Sequence, residues 1–574
     1  MIQATKLLSL CCVLTLLASL DANTASRRPV KARHGMVVSA ESLATAAGVE
    51  VLKNGGNAID AAVAVGFTLA VTFPEAGNIG GGGFMVIRLS DGRTLMIDFR
   101  EKAPAAATRG MFLDSHGKPL EAESTVGPLA AGVPGTTAGL LLALERYGTR
   151  TRTEVMRSAI KAAKEGFKVD ERLERSFRER MSEETGGRGY LSFPSSVKAF
   201  TRKGEIYREG EVFRQPDLAV TLMSIRKNGA NGFYRGAVAK LIVAEMERSG
   251  GIISLSDLAS YQAVEREPVK GSYRGFDIIS ASPPSAGGTI LLEILNILER
   301  FDLKAAGPLS SRTVHLFAAA AQRAFADRST YAGDPDVVDV PTSTLTSKAY
   351  AAVRAASIDT SAAVPSAQIG PGDTRALERH QTTHYCVADS QGNVASVTVT
   401  LNGYYGCKTV VRGGGFFLNN QMDDFAAKPG FPNADGLVGS EANSIAPGKR
   451  MVSSMSPTIV LKAGEPYVVL GARGSGRIPT AVAQTIINVV DFGMNIQEAV
   501  DAPRVHHQWL PDTLLYEPHG LSTDVVQILQ RIGYAVDGLR NPNAGLVEAL
   551  LIDRQTGWFY GGPDPREEGV AAGF

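Results

Sequence analysis

The chain has 574 residues, 44% hydrophobic and 20% charged, a globular composition with enough length for a large core or two. Its formal net charge is +1 and it carries no long basic run. That argues against a nucleic-acid partner, because phosphate binding needs clustered Lys and Arg. Four cysteines are too few for a disulfide-stapled scaffold.

At the N-terminus, Lys6 precedes an apolar run, Leu7–Leu20, and then small polar residues to Ser26. This is the three-part pattern of a secretory signal. The run is short of the roughly 20 residues a membrane anchor needs. A leader of residues 1–26 is therefore expected, cut within Ala22–Ser26, with a secreted or periplasmic product and no stable membrane anchor. Cys11 and Cys12 belong to the leader. Cys386 and Cys407 remain, either bridged or, as the sequence favours, packed as two free thiols.

Gly35–Val38 reads as a first strand and Glu41–Leu52 as a helix stopped by Asn54-Gly55-Gly56. Ala58–Val71 is apolar on all sides and so predicts a buried helix. The run Gly80-Gly81-Gly82-Gly83 lacks the G-K-[ST] of a phosphate loop and leads into a strand at Phe84–Leu89. It reads as a close backbone approach. Arg93–Asp98 is a further strand, delivering Phe99-Arg100-Glu101.

From Gly127 to about Ala356 the pattern is mainly helical. Amphipathic segments are Glu154–Glu165, Asp217–Lys227, Gly236–Arg248, Gly287–Glu299 and Ser311–Ala326. The Glu- and Arg-rich run Glu171–Glu184 predicts a solvated face. Ile358–His380 turns to Ser, Ala, Pro, Gly and Thr with no periodicity, as a flexible approach would.

Two β-branched runs then flank Ser390-Gln391-Gly392-Asn393, predicting strands at Thr383–Asp389 and Val394–Leu401 joined by a tight turn. Thr382 sits at the head of the first. An internal threonine hydroxyl is a poor nucleophile. A cut before Thr382 would give it a free α-amine of pKa about 7.7–8, so one residue would hold nucleophile and base together. Alone, the pattern is an ordinary hairpin. Strand-like runs follow at Gly415–Leu418, Thr458–Leu461, Tyr467–Leu470, Val547–Ile552 and Trp558–Tyr560, with helices at Ala481–Phe492 and Thr523–Ile532. No internal repeat is visible. Short strands with helical walls fit α/β layers.

Four stretches carry a more specific signal: Gln381-Thr382-Thr383-His384-Tyr385, Thr398–Asn402 (TVTLN), Leu418–Phe425 (LNNQMDDF) and Ser453–Thr458 (SSMSPT). Together they resemble the γ-glutamyltransferase family, which belongs to the N-terminal-nucleophile hydrolases. The similarity runs from about Ala32 to the C-terminus. It implies a four-layer αββα sandwich built from both fragments of one self-cleaved precursor: a large subunit of residues 27–381 and a small one of residues 382–574. The implied activity is transfer of the γ-glutamyl group of glutathione and related amides to water or to amino-acid and peptide acceptors. No cofactor or metal is needed for that chemistry.

The resemblance also implies site roles. Thr382 would be the nucleophile, first against the carbonyl of Gln381 and then against substrate, and Thr400 would support it. Arg100, with Ser453 and Ser454, would hold the α-carboxylate. Asn402, Gln421 and Asp424 would hold the α-amino group, an ammonium that wants acceptors only. Adjacent residues on an extended segment diverge, so Asp423 and Asp424 are not expected to form an acid pair. Gly474 and Ser475 align with the oxyanion-hole amides. Where many relatives have Pro-Gly-Gly, this chain has Arg473-Gly474-Ser475. Lys428–Lys449 resembles a lid over the site, and this chain has Asp435 where some of those lids present an aromatic. His384, His506 and His507 read as structural, since zinc-type spacing is missing. Alternatives on the same scaffold are an acylase, a poly-γ-glutamate hydrolase, or an uncleaved non-catalytic binding protein.

Overall fold

A computed structural model describes residues 26–370, 381–540 and 544–574. The leader and the segment 371–380 lie outside the described residues, so the readings made there are not tested.

Two seven-stranded antiparallel sheets stack face to face. The first runs, in spatial order, Val30–Ala32, Trp558–Gly562, Leu546–Asp553, Glu465–Arg473, Thr458–Lys462, Phe276–Ser280, Val269–Tyr273. The second runs Val570–Gly573, Gly35–Ser39, Gln381–Asp389, Val394–Asn402, Gly82–Arg88, Thr94–Asp98, Val264–Arg266. Helices Ser42–Lys53 and Ala58–Thr72 cover the outer face of the second sheet. Gly287–Leu298 and Arg477–Val490 cover the first, with Ser311–Tyr331 packed on Gly287–Leu298. This is the αββα sandwich, and strands from residues 30–280 and 381–573 interleave in both sheets.

The period-two rule of strands decides which way the central hairpin faces. On Gln381–Asp389, Tyr385 and Val387 enter the core under the outer helices, while Cys386 and Ala388 enter the core that includes the first sheet. Thr382 has the parity of Cys386 and so faces between the sheets. The buried helix Ala58–Thr72 begins at a reciprocal cap, Asn57 with Asp60, and every residue in it is buried. The glycine run is a close approach: a Cβ on Gly81 would lie 2.2 Å from the carbonyl oxygen of Thr400, and on Gly83 2.1 Å from that of Thr398.

Several expectations need correction. Gly415–Leu418 is not a strand. Only Phe417 pairs, in an isolated bridge to Val410, because Gly413 and Gly415 turn the chain with φ of +77° each. Besides four two-residue strands, the mainly helical stretch hides three strands of the two large sheets, Val264–Arg266, Val269–Tyr273 and Phe276–Ser280. The predicted helix over Glu154–Glu165 is two helices meeting at Met156, and Ser311–Ala326 continues to Tyr331. The run Glu171–Glu184 is only partly solvated. Arg172 is buried, and both Arg172 and Arg180 pair with the buried Glu75. Asp423 and Asp424 sit in a short 3-10 turn, not on an extended segment. They still diverge, since Asp423 accepts from Ser124 and Asp424 from Arg100. Cys386 and Cys407 are free and buried.

Candidate active site

The two inner strands of the second sheet carry the candidate nucleophile. Their register pairs Thr382 with Thr400 and Gln381 with Asn402, so Leu401 is skipped and a bulge falls between Gln381 and Thr382. A bulge breaks the ladder locally and re-aims the chain. Asn402 answers it with a left-handed φ of +73°. The hydroxyl of Thr382 donates to that of Thr400 at 3.4 Å, and Thr400 in turn accepts from the Asn402 amide at 2.8 Å. Both threonines are buried.

One cavity gathers Thr382, Thr400, Asn402, Arg100, Gln421, Asp424, Ser453, Ser454 and Ser475. Every residue singled out for the site lines it, apart from Gln381, whose side chain is not described, and Gly474, which precedes the lining Ser475. Arg100 ends the strand Thr94–Asp98 and is fully buried. Its guanidinium bonds Asp424 and the carbonyls of Met451 and Val452, the latter two at 3.2 and 3.0 Å. Glu101 lies 3.4 Å from Arg100. Burial pushes the Glu101 carboxyl up to about 7, although Arg100 pulls the other way.

The polar atoms left over have the right chemistry for an amino-acid head. Gln421 donates its amide nitrogen to Asp424 at 2.8 Å, and its amide oxygen has no hydrogen-bond partner. Asn402 likewise commits its amide nitrogen to the Asn420 carbonyl at 3.1 Å. What Gln421, Asn402 and Asp424 can offer is therefore acceptors, which an ammonium requires. Beside Arg100 the Ser454 hydroxyl is also unpartnered, a donor suited to a carboxylate. Ser453 accepts from the Met455 amide at 3.1 Å. Buried polar groups are rarely left unsatisfied, so such orphans mark where a ligand would complete the set.

On the opposite wall, strand Glu465–Arg473 ends in the turn Gly474–Gly476, which opens helix Arg477–Val490. Amides at a helix start suit a developing negative charge. Gly474 has φ +130° and Ser475 φ +53°. The Ser475 hydroxyl donates to Asp435 at 2.5 Å. Asp435 is the buried tip of the loop over the site, where Asn433 accepts from the amides of Asp435 and Leu437, both at 3.0 Å. Arg473, just before the turn, points away from the cavity into a cluster with Glu75 and Glu567.

The sequence reading missed cavity residues Arg328, Leu437, Val452, Met455 and Ile478. Met455 lies inside the marked motif Ser453–Thr458, Val452 just before it, and Leu437 inside the marked stretch Lys428–Lys449. Arg328 gave no signal, because it lies past the point where the helical pattern of Ser311–Ala326 fades. Of the three histidines singled out, His384 and His506 are held by uncharged partners, whereas His507 also meets a carboxylate. His384 contacts the Thr398 hydroxyl at 2.9 Å and Cys386, and burial alone takes its ring down to about 3. His506 meets Thr480 and Gln508. His507 takes a backbone amide, that of Trp509, and lies 3.4 Å from Asp512. Among the described residues no group of His, Cys, Asp and Glu is placed to hold a metal ion, and no helix is long and apolar enough to cross a membrane.

Comparison with known proteins agrees with this geometry. Residues 44–574 match the family model for gamma-glutamyltranspeptidase. The chain is 48% identical over 548 residues to a glutathione hydrolase proenzyme of Escherichia coli (strain K12), covering 95% of this chain and 93% of the relative. Among solved structures, a cephalosporin acylase from Bacillus halodurans superposes with a TM-score of 0.83 at 28% identity, over 97% of this chain and 98% of that one. The Helicobacter pylori gamma-glutamyltranspeptidase superposes with a TM-score of 0.57 at 47% identity, over 61% of this chain and 97% of its own.

Proposed function

The chain belongs to the gamma-glutamyltranspeptidase family, and from that premise we propose that it is a self-processing γ-glutamyltransferase and glutathione hydrolase whose nucleophile is Thr382. The observation that carries this reading is convergence. The Thr382 hydroxyl, the Arg100–Asp424 pair and the Gly474–Ser475 turn meet at one cavity although they come from four distant parts of the chain.

In the precursor, the Thr382 oxygen attacks the carbonyl carbon of Gln381. The C–N bond breaks, an ester forms, and water then releases residues up to 381 as a large fragment. The bulge at Gln381/Thr382 supports this bond as the scissile one, since it lifts the carbonyl out of the regular ladder. The Helicobacter pylori chain covers about three fifths of this one, the share that residues 27–381 make up. That supports the same two-fragment division. In the mature enzyme, the new α-amine takes the hydroxyl proton as Thr382 attacks a γ-glutamyl amide. Arg100, Ser453 and Ser454 hold the α-carboxylate; Asp424, Gln421 and Asn402 hold the ammonium. The amides of Gly474 and Ser475 receive the oxyanion, each worth about 3 kcal/mol. Water or an amine then takes the acyl group. Export to the periplasm or medium follows from the leader pattern.

An acylase reading on this scaffold draws on the likeness to the cephalosporin acylase. The Arg100–Asp424 pair, built for a small zwitterionic head, favours the γ-glutamyl substrate. The test is Thr382→Ala. Wild-type protein should give two bands on denaturing electrophoresis, the lighter beginning at Thr382, and should release the dye from a γ-glutamyl anilide. The variant should stay one chain and lose about three orders of magnitude or more in turnover. A light fragment beginning elsewhere, or a variant that still splits and turns over, overturns the reading.

A further inference from the structure

The cavity holds more charge than one γ-glutamyl head uses. Arg100 and Asp424 pair with each other and account for the donor's α-amino and α-carboxylate groups. A second cation and a second anion line the same cavity, Arg328 and Asp435. Arg328 comes from the C-terminal turn of helix Ser311–Tyr331 and is nine-tenths buried. It donates one hydrogen bond, from Nη1 to the Val438 carbonyl at 3.3 Å, and its Nε has no partner. Among the described residues no carboxylate lies within ion-pair distance of it.

A guanidinium so poorly matched is costly to bury unless something completes its fork. Behind Arg328 lies an apolar cavity walled by Pro284, Ile290, Ala324 and Leu345. Glu293 also lines that cavity, but its carboxylate faces Arg354 at 3.8 Å, and burial and the neighbouring Asp327 push its carboxyl up. Burial pulls Arg328 down to about 10, and the carboxylates that oppose this are Asp424 and Asp435. Asp435 reaches the cavity from the overlying loop and is tied to Ser475, the residue beside the oxyanion turn.

We propose that Arg328 and Asp435 form a second amino-acid subsite, which binds the acceptor of the transfer reaction as a zwitterion, its carboxylate on Arg328 and its amino end against Asp435. The acceptor class is a free amino acid or short peptide with an unblocked C-terminus. The inference rests on the transferase reading above and names its co-substrate. An amine held by Asp435 is beside the turn that receives the acyl oxygen. The ammonium gives one proton to water, and the neutral amine then attacks the ester carbon. The C–N bond forms, the C–O bond to Thr382 breaks, and the proton leaving nitrogen passes to the Thr382 oxygen.

The experiment compares glycylglycine with glycylglycinamide as acceptors, using a γ-glutamyl anilide as donor and the fully processed protein. Wild type should favour the free acid by about tenfold or more in kcat/KM for the acceptor, the size of one charge-assisted contact. Arg328→Gln and Arg328→Met should each erase that preference. Asp435→Asn should raise the KM of both acceptors by about tenfold while the preference persists. A wild-type ratio near one overturns the proposal, even if the Arg328 variants fail to fold. So does an undiminished ratio in folded Arg328 variants. Release of the dye into water without acceptor is read in the same assay. If that release is present and the ratio is flat, only the subsite falls; if it is missing, the transferase reading falls first.

Discussion

Two clusters of arginines and carboxylates, each buried at its centre, put the same residue types to different use. The first is Arg100 with Asp424 and Glu101, backed by Asp98, Arg266, Arg450 and Asp336. It turns a guanidinium toward the cavity. The second is Glu75 with Arg172, Arg180 and Arg473, joined by Glu567. It turns inward and fixes the end of strand Glu465–Arg473, from which the turn Gly474–Gly476 departs. One cluster presents charge to the cavity; the other holds backbone. The difference shows that a buried ion pair near a site is not by itself a binding group. What matters is which member faces the cavity.

The largest expected effect comes from breaking the inward cluster. Glu75 is the common partner of three guanidiniums and also accepts from Ser176. Burial alone would raise its pKa, but Arg180, Arg172 and Arg473 outweigh that and hold it below the usual carboxylate range. Glu75→Gln takes the shared anion from the buried Arg172 and Arg473 and the part-buried Arg180, leaving only Glu567 beside the last two, and should cost about 3 kcal/mol of stability. Arg473→Met should cost less, about 1–2 kcal/mol, since Glu75 keeps Arg172 and Arg180. Denaturant unfolding of both variants checks the order. If Arg473→Met proves the more costly, the cluster is not centred on Glu75.

The two clusters also predict opposite responses to pH. A carboxylate held low in the fold stabilises above its ordinary value of about 4.5, and that contribution is lost as pH falls. Glu75 is of this kind. Glu101 is the reverse, raised from 4.5 to about 7. Its contribution is complete below about pH 4.5 and is lost as pH rises toward 7, by about 3 kcal/mol or less. Thermal unfolding from pH 4 to 8 should therefore show a decline toward neutrality that Glu101→Gln removes and Glu75→Gln does not. An unchanged slope in Glu101→Gln would mean that this carboxyl is already ionised beside Arg100.

The comparison also explains what could be read from sequence. The outward cluster was legible at its tip. Arg100, Asp424, Ser453 and Ser454 sit in short motifs that resemble those of the family, and it was that resemblance, not the residue types alone, that marked them. The central hairpin was legible because β-branched alternation is local. The inward cluster was not. Glu75, Arg172, Arg180, Arg473 and Glu567 are scattered over about 490 positions, and the run containing Arg172 and Arg180 has the pattern of a solvated face. Only tertiary contact distinguishes a buried charge from an exposed one there. The strands within Val264–Ser280 were hidden for a similar reason. Their alternation is broken by Lys270, Gly271 and Asp277, and their partners are distant: Thr458–Lys462 pairs Phe276–Ser280, which carries Val269–Tyr273, while Val264–Arg266 pairs with Thr94–Asp98.

The smallest effect tests the turn where this chain departs from many relatives. Ser475 holds φ +53°, a left-handed conformation that costs an L-residue about 1 kcal/mol or more and glycine nothing. Its hydroxyl contact with Asp435 contributes about 1 kcal/mol in return. Ser475→Gly loses the contact and relieves the backbone, so its stability should fall within about 0.5 kcal/mol of wild type. Ser475→Ala loses the same contact and keeps the strain, so it should lie about 1 kcal/mol below Ser475→Gly. The two variants share every lost side-chain interaction, which isolates the backbone as the cause of any gap. Equal unfolding free energies would mean that the turn relaxes out of the left-handed region once the hydroxyl is gone. The contact to Asp435, and not the backbone path alone, would then be what shapes the turn Gly474–Gly476 in this chain.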